Sequence, residues 1–121
     1  MDSERPQLLT FAETYFERIW GGKRLADSLG RPVPPGKVIG EAWLVADHEQ
    51  CRSVVDAGPW AGKTLRELMV ECPEYLLGTH VKPTPCGRFP LLLKLIDAGD
   101  MLSVQVHPDD HTAHALGEPD V

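Results

Sequence analysis

Clusters of glycine and proline interrupt this chain at short intervals, and they limit it to short elements of secondary structure. The 121 residues include 11 glycines and 11 prolines. Most of them fall within residues 20–22, 30–36, 58–59 and 82–90. Glycine favours turns, and proline lacks a backbone N–H and has a fixed φ. The apolar segments between the clusters therefore predict short strands and helices joined by turns and loops.

The segments before residue 100 predict three strands and two helices. Strands are expected over residues 38–46, 52–56 and 91–98, where apolar residues are concentrated between turns. A short helix is expected over residues 23–29, because Leu25 and Leu29 share a face and Gly30 follows. Thr64 and Glu67 form a capping-box pattern, which predicts a second helix that ends before Pro73.

The stretch from Met101 to His107 is the most informative, because its polar and aliphatic residues alternate. Leu102, Val104 and Val106 alternate with Ser103, Gln105 and His107. This period of two predicts a strand with its aliphatic residues on one face and its polar residues on the other. Pro108 ends the strand, and Asp109 or Asp110 can cap a short helix that runs through Leu116 and stops at Gly117.

Gln105 and His107 are the first candidates for chemistry. On a strand their side chains point the same way, so an amide oxygen and an imidazole nitrogen could bind one divalent ion. The alternative is a solvated polar face of an edge strand. His111 and His114 would join His107 on a continuous helix, but Pro108 argues against that continuity, and we interpret both as residues of a helix surface.

A relaxed phosphate-loop pattern over residues 57–64 suggests a nucleotide binder as a second function class. Two features weaken this interpretation. Pro59 offers no N–H to a phosphate, and Trp60 adds bulk to the loop. A turn at Gly62 and a helix cap at Thr64 account for the same residues without a nucleotide.

Composition excludes several further classes. The chain has 12 basic and 18 acidic residues, a net charge of −6, with no basic face for nucleic acid. No apolar run is long enough to span a bilayer, and no basic amphipathic stretch suggests a membrane surface. The acidic, polar start of the chain is unlike a signal peptide, so we expect a cytoplasmic protein.

The order of short motifs resembles that of type I mannose-6-phosphate isomerases. The resemblance runs from about Phe11 to Ala115, and its most specific block spans residues 103–110. The motifs are Glu17-Arg18-Ile19-Trp20-Gly21-Gly22, Gly40-Glu41-Ala42-Trp43, Gly62-Lys63-Thr64-Leu65, Leu91-Leu92-Leu93-Lys94 and Leu102-Ser103-Val104-Gln105-Val106-His107-Pro108-Asp109-Asp110.

This resemblance implies a mainly β, cupin-type jelly roll of antiparallel strands with a few short helices. It also implies a zinc-dependent enzyme that interconverts mannose 6-phosphate and fructose 6-phosphate. The family pattern places Gln105 and His107 at the metal, Ser103 at the substrate phosphate, and Lys94 in the active site. The catalytic base is not identified; Glu41 is a candidate, but a buried or loop carboxylate is the more ordinary interpretation.

The family pattern also has two further metal ligands, a glutamate in a Gly-Lys-x-Glu motif and a distant histidine, which this sequence lacks. Glu118 does not match the first of these. Residues 1–121 are therefore expected to be the N-terminal part of the catalytic domain, with an incomplete jelly roll, little activity alone, and self-association through unpaired strand edges. A non-catalytic cupin-like module that binds a metal or a sugar is the alternative.

Overall fold

One antiparallel sheet of three strands organises the chain, in the order β1-β2-β3. A computed structural model describes residues 8–118. The strands are β1 (Thr14–Gly22), β2 (Ile39–Val45) and β3 (Leu93–Ile96). The helices are α1 (Arg24–Asp27), α2 (Leu65–Glu71), α3 (Pro73–Leu77) and α4 (Asp110–Ala115). The expectation of antiparallel β-structure with a few short helices is thus confirmed.

The central strand β2 presents different residues on its two faces. Ala42 is fully buried and packs with Leu25 of α1, and Leu95 of β3 joins the same apolar cluster. Glu41 and Trp43 alternate with Ala42 and therefore point to the opposite face. The sheet consequently has one apolar face that packs on α1 and one face that carries polar groups.

A second apolar cluster lies beside the sheet and contains α2. Val55, Trp60, Leu68 and Cys72 are its buried members. The Trp60 and Tyr75 rings meet edge to face, with their centroids 5.1 Å apart. Apolar side chains three to four residues apart share one face of α2, so the helix buries that face in the cluster.

The predicted helices are confirmed, one with shorter bounds. α2 begins with the predicted capping box, since the Thr64 side chain accepts from the Glu67 N–H and the Glu67 carboxylate accepts from the Thr64 N–H. Asp109 caps α4 by accepting a 2.7 Å hydrogen bond from the Thr112 N–H. α1 covers only Arg24–Asp27 of residues 23–29. None of the helices within residues 8–118 is long and apolar enough to cross a membrane.

Two predicted strands are wrong. Residues 52–56 make only isolated bridges, which join Arg52 to Asp47, Val54 to Thr64 and Val55 to Phe11. Residues 101–109 form no regular secondary structure, and Val104 and Val106 are 100% and 92% exposed. Alternation is compatible with a strand, but a strand also requires a neighbouring strand for its backbone hydrogen bonds. Residues 8–118 offer no such neighbour to this segment.

β1 and α3 were not predicted from the sequence. β1 has nine residues, but its pairing with β2 is irregular, with register shifts after Phe16 and after Glu17. Such bulges break the period of two that marks a strand. Gly21 lies so close to β2 that a Cβ there would be 2.6 Å from the Gly40 nitrogen, so only glycine fits this crossing.

Candidate active site

The polar face of the sheet brings together residues from all three strands. Lys94 of β3 pairs with Trp43 of β2, and Glu41 lies two residues before Trp43 on the same face. Arg18 of β1 reaches the same carboxylate. The family-like motifs around residues 18, 41 and 94 are therefore neighbours in space although they are far apart in the sequence.

Glu41 binds two cations, one at each carboxylate oxygen. Lys94 Nζ lies 2.7 Å from Glu41 Oε1, and Arg18 Nη2 lies 2.6 Å from Glu41 Oε2. The Glu41 side chain is only 8% exposed, whereas those of Lys94 and Arg18 are 32% and 35% exposed. The two cations are thus partly exposed to solvent, and the carboxylate is buried beneath them.

This arrangement opposes a role for Glu41 as the catalytic base. Burial alone would raise the pKa of Glu41, but the hydrogen bond and charge of Lys94, together with Arg18, lower it below the ordinary value. A general base works best when its pKa is near the operating pH. The interpretation of Glu41 as a buried carboxylate is confirmed.

Trp43 forms the centre of this face. Lys94 Nζ lies 5.5 Å from the centroid of its ring, within the range of a cation–π contact. The Phe16 and His48 rings pack against it, at 4.6 and 5.6 Å between centroids. The Trp43 Nε1–H is buried and has no hydrogen-bond partner among residues 8–118.

The other three predicted site residues lie in the irregular segment that follows β3. Ser103, Gln105 and His107 are all exposed. The Gln105 amide nitrogen donates a 2.8 Å hydrogen bond to Ser103 Oγ, so these two side chains do share one side of the segment. His107 Nδ1 lies 2.9 Å from its neighbour's carbonyl oxygen, that of Pro108. Their surroundings thus differ from those of Lys94, which is fixed within the sheet.

His107 lines a cavity of about 690 Å³ that approaches the polar face of the sheet. Asp47 and His48 form one side of this cavity, and Leu92 and Glu118 also line it. Its volume lies within the range of small-molecule sites. The cavity and the Lys94 cluster are linked by His48, which lines the cavity and contacts Trp43.

Asp47 holds one wall of this cavity in place. Its buried carboxylate accepts from Arg66 Nε at 3.0 Å and from the Phe89 N–H at 2.9 Å. These bonds tie the Pro- and Gly-rich residues 82–90 to α2. The loop that precedes β3 is thereby positioned by a carboxylate distant in sequence.

Arg18 and Trp43 were not recognised from the sequence as residues of a site. The sequence does carry one signal for Trp43, since it lies two residues after Glu41 in a predicted strand and therefore shares its face. Arg18 offers no such signal. The pairing of β1 is irregular, so its sequence does not indicate which face of the sheet the Arg18 side chain occupies.

The phosphate-loop interpretation is not supported by the geometry. The N–H groups of Ala61, Gly62 and Lys63 donate to backbone carbonyls of this region. Lys63 Nζ lies 2.7 Å from the Glu71 carboxylate, and Trp60 is buried in the second cluster. A phosphate loop instead turns its N–H groups and its lysine toward the ligand.

The donors for a metal ion are suitable in kind but incomplete in number. Gln105 and His107 offer an oxygen and an imidazole nitrogen, and the bond to Ser103 uses the amide nitrogen of Gln105 rather than its oxygen. Zinc sites in enzymes use three protein ligands as a rule. Within residues 8–118, no group of three or more His, Cys, Asp or Glu side chains is arranged to hold a metal.

Residues 8–120 match the family described as "Phosphomannose isomerase type I, catalytic domain". The chain belongs to this family. It is 47% identical over 105 residues to "Probable mannose-6-phosphate isomerase GmuF" of Bacillus subtilis strain 168, and this alignment covers 85% of this chain and 31% of that protein. It is 45% identical over 112 residues to "Mannose-6-phosphate isomerase ManA" of the same strain, with coverage of 91% and 33%.

A solved structure shows the same fold. The crystal structure of the mannose 6-phosphate isomerase from Bacillus subtilis superimposes with a TM-score of 0.76 at 38% identity, over 88% of this chain and 32% of that chain. The resemblance inferred from the motifs is thereby confirmed. The chain spans about a third of the length of the relatives it matches.

Proposed function

We propose that this protein is a mannose-6-phosphate isomerase that interconverts mannose 6-phosphate and fructose 6-phosphate. Residues 1–121 would be the N-terminal part of its catalytic, cupin-like domain. Apart from the family membership, the observation that carries this proposal is the position of Lys94. Its ammonium group is held between Glu41 and Trp43, and the Trp43 ring contacts His48, which lines the same cavity as His107.

The reaction moves one proton between two adjacent carbons of the sugar. A base removes the proton from C2 of the open-chain aldose, negative charge develops on the oxygens of an enediolate, the hydroxyl proton passes from O2 to O1, and a proton returns at C1. Cationic groups fixed beside those oxygens stabilise this charge. Lys94 is such a cationic group, since its ammonium is already fixed on the sheet before the substrate binds.

We assign the substrate phosphate to Ser103 and the active-site cation to Lys94. The Ser103 hydroxyl can donate a charge-assisted hydrogen bond to a phosphate oxygen. Its exposure leaves it accessible to a ligand.

We assign Gln105 and His107 as two ligands of a zinc ion. Zinc, when bound, polarises a carbonyl oxygen and stabilises negative charge on it. The chain's own part is to offer the Gln105 oxygen and one His107 nitrogen from the same short segment. The remaining ligands are not among the described residues.

The test is an assay of the protein in its natural full length for the formation of fructose 6-phosphate. We expect turnover that a chelator abolishes and zinc restores. Lys94→Met should lower kcat by about a hundredfold or more. Ser103→Ala should raise KM about tenfold with a smaller change in kcat.

The metal assignment has its own readout in the zinc content of the purified protein. Gln105→Ala and His107→Ala should each lower the bound zinc, whereas His114→Ala, on the exposed surface of α4, should retain it. A folded parent protein that contains zinc but does not isomerise the sugar phosphate would overturn the proposed function. Equal zinc content in all variants would overturn the assignment of the two ligands.

For the isolated 121-residue chain we propose little turnover and a tendency to self-associate. β3 is at the edge of the sheet, and Leu93 and Ile96 are 55% and 49% exposed there. Exposed apolar edge strands pair with other chains. Sedimentation should therefore show dimers or larger species, and Leu93→Lys should shift the chain toward monomer; a monomeric parent would contradict this.

We also propose a cytoplasmic location. The substrate is a charged sugar phosphate, which does not cross a bilayer unaided. Fractionation of cells that express the protein tests this, and recovery outside the cytoplasm would oppose it.

A further inference from the structure

The two cations on the polar face of the sheet share a single carboxylate. Arg18 and Lys94 come from opposite edges of the sheet, and Glu41 on the central strand contacts both. The carboxylate is the buried member and the cations are the accessible ones. The cluster therefore has a net charge of one positive unit, with its positive side toward solvent.

Each cation is also held by contacts other than the carboxylate. The Lys94 ammonium lies over the Trp43 ring, and the Arg18 guanidinium lies 5.3 Å from the centroid of the Phe16 ring. Gly40 makes room for the stem of Arg18, since a Cβ at Gly40 would lie 2.5 Å from Arg18 Cβ. Both side chains thus approach Glu41 along defined paths.

We infer that Glu41 is a positioning residue that fixes Lys94, with Arg18 as its second partner, as one preorganised cationic unit of the active site. The inference rests on the proposed function, in which Lys94 acts on the substrate. A flexible lysine loses rotamer entropy when it is fixed. Because the buried carboxylate already fixes Lys94, this entropy is lost before the substrate binds. Arg18 is thereby added to the site as a residue that controls how strongly Glu41 holds Lys94.

A chemical readout tests this link independently of catalysis. An amine that is bound to a carboxylate must leave it before an acylating reagent can react with it. We expect Glu41→Gln to raise the acylation rate of Lys94 several-fold, relative to Lys23 in the same sample. Arg18→Gln should slow the acylation of Lys94, because Glu41 then binds Lys94 alone.

These opposite signs distinguish positioning from a structural role. General loosening of the sheet would speed the acylation of Lys94 in both variants, and that result would overturn the inference. Arg18 is about one-third exposed, so Arg18→Gln still provides the test if Glu41→Gln fails to fold.

Kinetics of the full-length protein supply the second readout. Glu41→Gln should lower kcat tenfold or more, while inhibition by inorganic phosphate stays equal or becomes stronger, because the substitution removes negative charge. The matched control is Glu71→Gln, since Glu71 also lies 2.7 Å from a lysine ammonium, that of Lys63, but at an exposed site. It should speed the acylation of Lys63 and leave kcat unchanged.

The outcomes separate the two proposals. A parent protein without isomerase activity overturns the proposed function, while the acylation rates still report whether Glu41 holds Lys94. An active parent in which Glu41→Gln changes neither the acylation of Lys94 nor kcat overturns the positioning role alone.

Discussion

The three-stranded sheet and the segment that follows it, residues 99–118, both contain stretches that the sequence predicts as strands, but they differ in structure. β2 is apolar apart from Gly40 and Glu41 and is paired on both sides, so Glu41 and Trp43 are buried. Residues 101–107 alternate regularly between polar and aliphatic residues but form no strand, and their aliphatic side chains are exposed. Alternation therefore indicates which face of a segment would be buried, whereas pairing decides whether burial occurs.

This difference divides the candidate site. Lys94 lies within the sheet, where an ion pair and a ring contact fix it. Ser103, Gln105 and His107 lie outside it and are exposed. One half of the site is preorganised by the described residues, and the other half depends on contacts that these residues do not supply.

Hydrogen exchange should show the largest contrast between the two regions. Amides in the centre of β2 should exchange roughly a thousandfold or more slowly than those of residues 102–107, because they open only with the sheet. The measurement is residue-resolved exchange by NMR on the 121-residue chain. Equal protection in the two regions would show that the segment is paired.

Substitution of buried and exposed aliphatic residues should give the next largest effect. Leu68→Ala empties a fully buried position and should lower the free energy of unfolding by about 2–5 kcal/mol. Val104→Ala, at a fully exposed position, should change it by less than ~0.5 kcal/mol. Urea denaturation of both variants measures this, and a large cost at Val104 would mean that the segment is packed.

The two helix caps test the same comparison with a smaller effect. Thr64→Ala removes the cap of α2 and should lower the free energy of unfolding by about 0.5–2 kcal/mol. Asp109→Ala removes the cap of α4, and we expect loss of local helicity without a change in the unfolding midpoint of the sheet. Circular dichroism and urea melts report both quantities, and equal midpoint shifts would contradict independence of the two regions.

Acid should have the smallest and most local effect. The lowered pKa of Glu41 means that its ion pairs stabilise the fold above the ordinary glutamate pKa of 4.5 and lose that contribution as the pH falls through the lower value of the folded protein. Melting temperatures below pH 4.5 should therefore decrease less steeply for Glu41→Gln than for the parent. Parallel curves would show that Glu41 does not contribute.

A similar titration in the segment should leave the sheet intact. The hydrogen bond from the Thr112 N–H lowers the pKa of Asp109 below its ordinary value. The cap of α4 is therefore lost only when the pH falls through this lowered pKa. Helicity of α4 should then fall before the sheet melts. The two acidic groups thus report separately on the two regions.

Much of the local structure could be predicted because its causes lie within a few residues. The Thr64 capping box, the Asp109 cap and the stop at Gly117 each depend on neighbours along the chain. The motif order also predicted the family, which the match over residues 8–120 confirms. Gln105, His107, Ser103 and Lys94 remain proposals as site residues.

Other features depend on residues that are distant in sequence. The bulged pairing of β1 with β2 breaks the period of two along β1, so the sequence pattern did not predict this strand. The ion pairs of Glu41 join residues 18, 41 and 94, which no local spacing connects. The cavity beside His107 likewise depends on Asp47, which holds the 82–90 loop through Arg66 and Phe89.

The sequence by itself determined where this chain turns, where α2 and α4 begin, and which residues carry the family motifs. Those features follow from backbone geometry and from short-range hydrogen bonds. Only the tertiary structure decided that Glu41 is buried beneath two cations while residues 101–107 stay exposed. The physical reason is that burial and strand pairing require a partner surface, and a partner distant in sequence is specified by the fold as a whole.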